Sequence, residues 1–406
     1  MPAIEGENQA RKLLAQAIIT PKILCGEILL GLRPSSPFTA AGMTDDEAYA
    51  ALNMIPRLGP VRVRRLLQNL GGPVEILKAS TARLQAVEGI GPEVAESIHG
   101  WEAAVDLLEE LRLAKEFGAR LVTLASTDYP APLREIHDPP TVLYVWGTLD
   151  GRDRHSVGVV GTRKPTHYAS ECAKKFSYQM AYAGLTVVSG LARGVDTAAH
   201  QGALAAKGRT IAVIGSGLLS VYPPENLPLA EKIAASGGAV VTEFSMKVTA
   251  DRQTFPMRNR IISGLSFGLL VVEAGGRSGA LISANQATDQ GRAVYVIPGR
   301  IDQPNAIGSN RLIQQGAKLV TSAADILEDT GLLFAEAPVL SRKAAPPDLT
   351  GPELAVFEAL GADEVLMDEV VARSGLPTHV VSSTLLALEM KKLVRRLAGS
   401  RFVKTS

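Results

Sequence analysis

The chain has 406 residues, 46% of them hydrophobic and 20% charged, with few aromatics and a formal net charge of +1. That length holds roughly two to four domains, and the charge balance excludes a globally basic polyanion binder. No apolar run reaches the length of a membrane span, and the two cysteines, Cys25 and Cys172, stand in no metal or redox spacing, which points to a reducing cytoplasm.

Residues 1–43 match no folding pattern. Residues 13–19, after Arg11-Lys12, faintly resemble a signal peptide, but Pro21 and Lys22 interrupt the run. The expectation is a poorly ordered extension, or one that the native protein lacks. Residues 44–118 read as an all-helical domain. Thr44 and Glu47 have capping-box spacing before an apolar helix. Two segments then repeat a Gly-Pro turn followed by an apolar-faced helix, one around Gly59-Pro60 and one around Gly91-Pro92. This pattern resembles the helix-hairpin-helix module, whose turn amides can hold a DNA phosphate. The first copy carries Arg57, Arg62, Arg64 and Arg65 and suits a phosphate; the second carries Glu88, Glu93 and Glu96 and reads as structural. The alternative for the whole unit is a helical packing or oligomerisation module.

Residues 119–331 carry the strongest pattern. Runs at 157–160, 186–189, 210–214, 239–242, 268–272 and 293–297 are β-branched and continuous, as buried parallel strands are. Helical patterns at 168–183, 195–206, 227–236, 257–263 and 279–290 alternate with them. Two further strand candidates, 121–124 and 141–147, precede the series around a Pro-rich turn. The alternation predicts an α/β fold with an extended, Rossmann-like, doubly wound, mostly parallel sheet. All six runs would then end at one edge, the edge where such sheets bind ligands. The ends are small, polar or basic: Gly161-Thr162-Arg163, Ser189-Gly190, Gly215-Ser216-Gly217, Thr242-Glu243-Phe244, Glu273-Ala274-Gly275-Gly276 and Pro298-Gly299-Arg300. Close backbone approach and free helix N–H groups suit such turns to oxyanions.

Residues 332–349 are rich in Ala and Pro and read as a linker. Residues 350–406 predict three helices and a short hairpin, a winged-helix pattern. Its recognition helix lacks Lys and Arg from Pro377 to Met390, which favours protein docking over duplex reading.

The turn after the first core strand is neither a dinucleotide fingerprint nor a Walker A loop, since Arg163-Lys164 stands where further glycines would. Thr162 and Arg163 offer hydroxyl and guanidinium donors instead. That turn, with Ser189-Gly190-Leu191-Ala192-Arg193-Gly194-Val195-Asp196, Gly215-Ser216-Gly217, Tyr222-Pro223, Phe255-Pro256-Met257-Arg258-Asn259-Arg260, Val272-Glu273-Ala274, Ser278-Gly279-Ala280, Pro298-Gly299 and Gly308-Ser309-Asn310, resembles the DprA/Smf family of DNA-processing proteins. The resemblance implies a non-enzymatic binder of single-stranded DNA. Such a protein loads the RecA recombinase in natural transformation, relieves the block set by single-strand-binding protein and dimerises through the Rossmann-like domain. No cofactor, metal or membrane is implied. By position, Gly161, Thr162 and Arg163 correspond to the phosphate-binding turn. Lys164, Ser189, Gly190, Arg193, Gly215, Ser216, Arg258, Asn259, Arg260, Ser278 and Gly279 are further residues expected at DNA phosphates. Tyr222, Phe244 and Phe255 are candidate base-stacking surfaces. The chain departs from the family at Val195, Ser216 and Ala280, and it lacks a lysine that some relatives carry before Tyr222-Pro223.

Asp196 and His200, four apart on a helix, have acid–base spacing, but an acid at a helix N-terminus bonded to a nearby histidine accounts for them without catalysis. Glu273 is expected to organise Arg260 or Arg277. Arg258 and Arg260 point to different sides of a helix, so one is fitted to phosphate and the other to fixing the loop. Two rivals remain. Glu273-Ala274-Gly275-Gly276-Arg277 faintly resembles the site of nucleotide-processing hydrolases of the lysine-decarboxylase-like type, without the Gly-Thr and Glu expected there. A double-stranded DNA regulator rests on the winged helix alone.

Overall fold

A computed structural model describes residues 42–330, 349, 351–361, 364–391, 393–397 and 399–404. The first helix, Asp45–Met54, starts at the capping box: Thr44 Oγ1 accepts from the Glu47 amide, and Glu47 Oε2 accepts from the Thr44 amide at 2.9 Å. Helices Pro60–Leu70 and Pro92–His99 each follow a glycine N-cap, with proline in the first turn, where its missing N–H costs nothing. Leu52, Leu66, Ile76, Leu84, Ile98 and Trp101 are fully buried and form the centre of this helical domain.

Arg57, Arg62 and Arg65 of the first hairpin make bonds within the helical domain. Arg62 donates through Nε to Gly89 O and through Nη1 to Arg57 O, Arg65 donates to Glu88 O, and Arg57 is ion-paired with Glu93. They tie the two hairpins together. The domain is also fastened to the sheet. Thr123 donates to Asp46 at 2.6 Å, Asn53 to the Glu243 carbonyl at 2.8 Å, and the Met246 amide to the buried Glu110 carboxylate at 2.8 Å.

The sheet contains β1 (Arg120–Thr123), β2 (Val142–Gly147), β3 (Ser156–Val160), β4 (Thr186–Ser189), β5 (Thr210–Val213), β6 (Ala239–Thr242), β7 (Gly268–Val271), β8 (Ala293–Val296) and β9 (Lys318–Leu319). Their order is β1-β2-β6-β5-β4-β3-β7-β8-β9. From β6 to β9 every pairing is parallel, and β2 runs antiparallel to both β6 and β1. Successive crossovers carry the chain outward from β3 to β6. Helix Thr254–Leu265 then returns it to the other side of β3, where Val160 pairs with Val271. The turns after β3 and β7 therefore diverge, and a crevice opens between them.

Strand alternation feeds two apolar layers. Val157 and Val159 pack with Phe176, Met180 and Ala199, while Val160 packs on the opposite face with Ile261, Ile262 and Leu265. The helix 257–263 expected from the sequence begins earlier, at Thr254, because Pro256 fits its first turn. β9 and helix Ile307–Gln314 were not anticipated: a two-residue strand shows no periodicity.

The C-terminal unit has helices Gly351–Ala359, Met367–Ser374 and Thr378–Met390, with a sheet of β10 (Val365–Leu366), β12 (Arg401–Lys404) and β11 (Val394–Leu397) in that spatial order. Val356, Leu360, Val370, Val381, Leu385, Leu388 and Phe402 form its core. β10 completes the winged-helix sheet beyond the expected hairpin. Among the described residues, no helix is long and apolar enough to cross a membrane.

Helix Val195–Ala205 meets helix His167–Tyr182 at Gly202, where an added Cβ would collide with the Lys174 backbone. The Gly202→Ala substitution is expected to destabilise the chain by about 1–3 kcal/mol in a urea titration, the cost of overpacking a rigid contact.

Candidate anion-binding cleft at the switch point

The crevice between β3 and β7 is a cleft of about 560 Å³. One side is the turn Gly161-Thr162-Arg163. The other is loop 275–278 with the N-terminus of helix Gly279–Asp289, whose Ser278 cap accepts from the Ala280 amide at 3.3 Å. The beginning of helix Thr254–Leu265 closes the base. Four arginines line this space, Arg163, Arg252, Arg258 and Arg277, against one acid, Asp196. Asn259, Asn305, Ser278 and Ser283 supply neutral polar groups. A helix N-terminus beside clustered cations creates a strongly positive recess in a nearly neutral chain.

Asp196 is committed to backbone. Its carboxylate accepts from the Gly190 amide at 3.1 Å and the Ala192 amide at 3.3 Å, which shapes the turn after β4. Burial raises its pKa, and nearby Arg258 works against that rise. Arg258 is only 4% exposed, and its Nε and Nη1 make no hydrogen bond. Burial pushes this guanidinium down to about 10, with Asp196 opposing the fall and Arg163 adding to it. It therefore keeps its charge at neutral pH. Two neighbouring cations, one of them buried with unmet donors, are stabilised by an anion placed between them.

Arg163 lies 4.8 Å over the Phe255 ring, and the Tyr222 ring is 6.0 Å from Phe255 and tilted by 54°. Tyr222 is 39% exposed, so an open aromatic face stands next to the cations. Arg193 shares the adjoining recess with Tyr222 and Gly190, and is ion-paired at the surface with Glu225. An exposed pair of this kind contributes little and exchanges easily with another anion.

The structure thus brings together Gly161, Thr162, Arg163, Arg258, Asn259, Phe255, Ser278 and Gly279 in the cleft, with Gly190, Arg193 and Tyr222 next to it. Lys164 is exposed beside the rim, its carbonyl accepting from Asn305. Other expected residues lie elsewhere. Arg260 is buried among acids: Nη2 donates to Glu243 at 2.6 Å and Nε to Asp138 at 2.9 Å. Burial works against its charge, but these two carboxylates outweigh it and hold the guanidinium above its ordinary pKa. Arg260 and Arg258 do point to different sides of their helix. The carboxylates holding Arg260 are Glu243 and Asp138, not Glu273. Ser189 is wholly buried and donates to Val159 O, because its side chain points into the layer between strands. Ser216 is equally buried, Gly215 sits under the Phe255 ring, and Phe244 lies outside the cleft lining. The Thr162 amide is not free for a phosphate either, since it donates to Glu273 O at 2.8 Å. His200 does not bond Asp196; its Nδ1 pairs with Thr210 Oγ1 at 2.7 Å.

Arg252 and Arg277 are the cleft cations that sequence reasoning left out of the site. Arg277 stands in the Gly-Gly turn already noted, and Arg252 lies in a polar run just before a helix, so each had a weak local signal.

Gly190 is a glycine because the Arg258 guanidinium occupies the place of its Cβ. Gly190→Ala is expected to displace Arg258 and weaken anion binding in the cleft on the order of tenfold by isothermal titration with a short polyphosphate, while the fold is retained. Burial holds His200 down to about 3 from 6.5. Between these values the unfolded chain binds the extra proton, so the His200 contribution is complete above pH 6.5 and is lost as pH falls towards 3. The stability difference between His200→Asn and the parent chain should therefore shift in the variant's favour on acidification from pH 7 to 4, read by chemical denaturation at each pH.

Three comparisons with known proteins are in accord. A profile of DNA recombination-mediator protein A matches residues 120–331, one of the DprA winged helix domain matches 341–400, and one of a SAM-like helix-hairpin-helix tandem matches 49–100. Protein Smf of Synechocystis is 35% identical over 392 residues, covering 88% of this chain and 98% of that protein. DNA processing protein DprA of Bacillus subtilis is 43% identical over 217 residues, covering 53% and 72%. The X-ray structure of DNA processing protein A from Streptococcus pneumoniae superposes with a TM-score of 0.62 at 34% identity, covering 71% of this chain and 98% of that one. With its Rossmann-like sheet, helix-hairpin-helix domain and winged helix, the chain belongs to the DprA/Smf family of DNA recombination mediators.

Proposed function

We propose that the switch-point cleft grips the phosphate backbone of single-stranded DNA without reading its bases. In this reading the chain is a non-enzymatic mediator in the cytoplasm. It shields an incoming strand, relieves the block set by single-strand-binding protein and loads a RecA-type recombinase during natural transformation, as a homodimer joined through the Rossmann-like domain. The observation that carries the proposal is the cation set of Arg163, Arg252, Arg258 and Arg277, with Arg258 buried and its donors unmet.

Two further features support a single strand over a duplex. The exposed Tyr222 ring beside Phe255 offers a stacking face that only an unstacked base can use. The winged-helix recognition helix Thr378–Met390 has no Lys or Arg to meet duplex phosphates. Support for a binding rather than a hydrolytic site comes from the one acid in the cleft, Asp196, being engaged by two backbone amides.

The test is a fluorescence titration of a labelled oligothymidylate at several salt concentrations. Arg163→Ala and Arg277→Ala should each weaken binding and flatten the salt slope by about 0.7 per lost phosphate contact. Arg260→Ala should instead cost about 3–5 kcal/mol of stability, because it strands Glu243 as a buried charge. Unaltered binding in both cleft variants would remove the cleft from the DNA site. Release of free base from nucleoside monophosphates would favour the hydrolase reading.

A further inference from the structure

A second groove, of about 630 Å³, opens between the first helical hairpin and helix Thr254–Leu265. Arg62 and Arg65 line one side, and Pro256 and Met257 line the other. Pro256 also lines the switch-point cleft, so the two depressions share a wall on a single helix. We propose that this groove is a second segment of the strand path, where the backbone of single-stranded nucleic acid leaving the cleft is met by Arg62 and Arg65. The proposal rests on the reading of the cleft as a single-strand site.

The electrostatics separate these two arginines from their neighbours. Arg57 is neutralised by Glu93, and Arg260 by Glu243 and Asp138. Arg62 and Arg65 bond only to the carbonyls of Gly89, Arg57 and Glu88, which are neutral acceptors, and neither has a carboxylate partner among the described residues. The one acid lining the groove, Asp138, is paired with Arg260, and the carbonyl bonds hold Arg62 and Arg65 in position. A guanidinium held in place loses little rotamer entropy when it takes a phosphate. Being three apart on helix Pro60–Leu70, the two project to the same side. The turn of the second hairpin is built to admit them: Gly89 has φ +84°, and Arg65 Nη1 lies 2.5 Å from where a Cβ would stand. Met257, 44% exposed on the shared wall, offers a flexible apolar surface to sugar and base. The helical domain then adds length to the site rather than a separate activity.

The test uses the full chain and oligothymidylates of about 4 and about 16 nucleotides, the ordinary span of single-strand grooves. In Arg62→Gln/Arg65→Gln, affinity for the long strand should fall on the order of tenfold and its salt slope flatten by roughly 1.4, two contacts' worth. Affinity for the short strand should stay as in the parent chain. Met257→Glu leaves the hairpin carbonyl bonds untouched and should give the same length-selective loss, so it decides the matter if the double variant fails to fold. Unchanged long-strand binding in the folded variants overturns the proposal. So does an equal loss at both lengths, or competition by a duplex as effective as that by the long strand. If the parent chain binds neither oligonucleotide, the cleft reading itself falls, which is a different outcome from loss of length selectivity.

Discussion

The arrangement of the site depends on one buried cation. Arg258 is placed by a helix that crosses beneath β3, passes over a glycine with no side chain to obstruct it, and ends beside a carboxylate already occupied by two amides. Its charge is therefore held in low dielectric with part of its hydrogen-bonding capacity unused. Such a group is costly for the isolated chain and strongly attractive to an anion. The remaining features follow from that imbalance. Arg163 approaches from the opposite turn and braces itself on Phe255, and the N-terminus of helix Gly279–Asp289 presents its positive end to the same space.

The fold makes this convergence unavoidable. Because the crossovers wind outward from β3 and then return to its other side, the turns after β3 and β7 diverge and cannot fill the gap between them. Glycines at 158, 161, 190 and 202 let helices and loops approach more closely than any side chain would permit. Tight packing of the two flanking layers fixes the crevice walls, so the arginines meet a ligand with little reorganisation. The helical domain is tied to the same sheet edge through Asn53 and Glu110.

Much of this was legible in the sequence. Continuous β-branched runs separated by helical patterns gave the six central parallel strands nearly to the residue, since buried strands cannot alternate polarity. The turn at Gly161-Thr162-Arg163 announced the cleft because glycine, hydroxyl and guanidinium together suit an oxyanion. What could not be read was orientation. Ser189 and Ser216 end strands as Thr162 does, but their side chains face the interior, which depends on which pleat face each residue occupies. Arg258 and Arg260 look alike in sequence, yet the helix turns one toward the cleft and the other toward Glu243 and Asp138, acids remote in the chain. Arg252, in the loop before helix Thr254–Leu265, joins the cleft lining only through the tertiary fold. Long-range charge pairing decided which arginines remained free to bind, and no local motif records it.

The most direct test of a backbone-gripping cleft is a structure of the full chain bound to a short oligothymidylate. A phosphate is predicted between Arg163 and Arg258, within hydrogen-bonding reach of the N-terminal turn of helix Gly279–Asp289, with an adjacent base against Tyr222. A strand seated only on the winged-helix unit, with the cleft arginines untouched, would contradict the account.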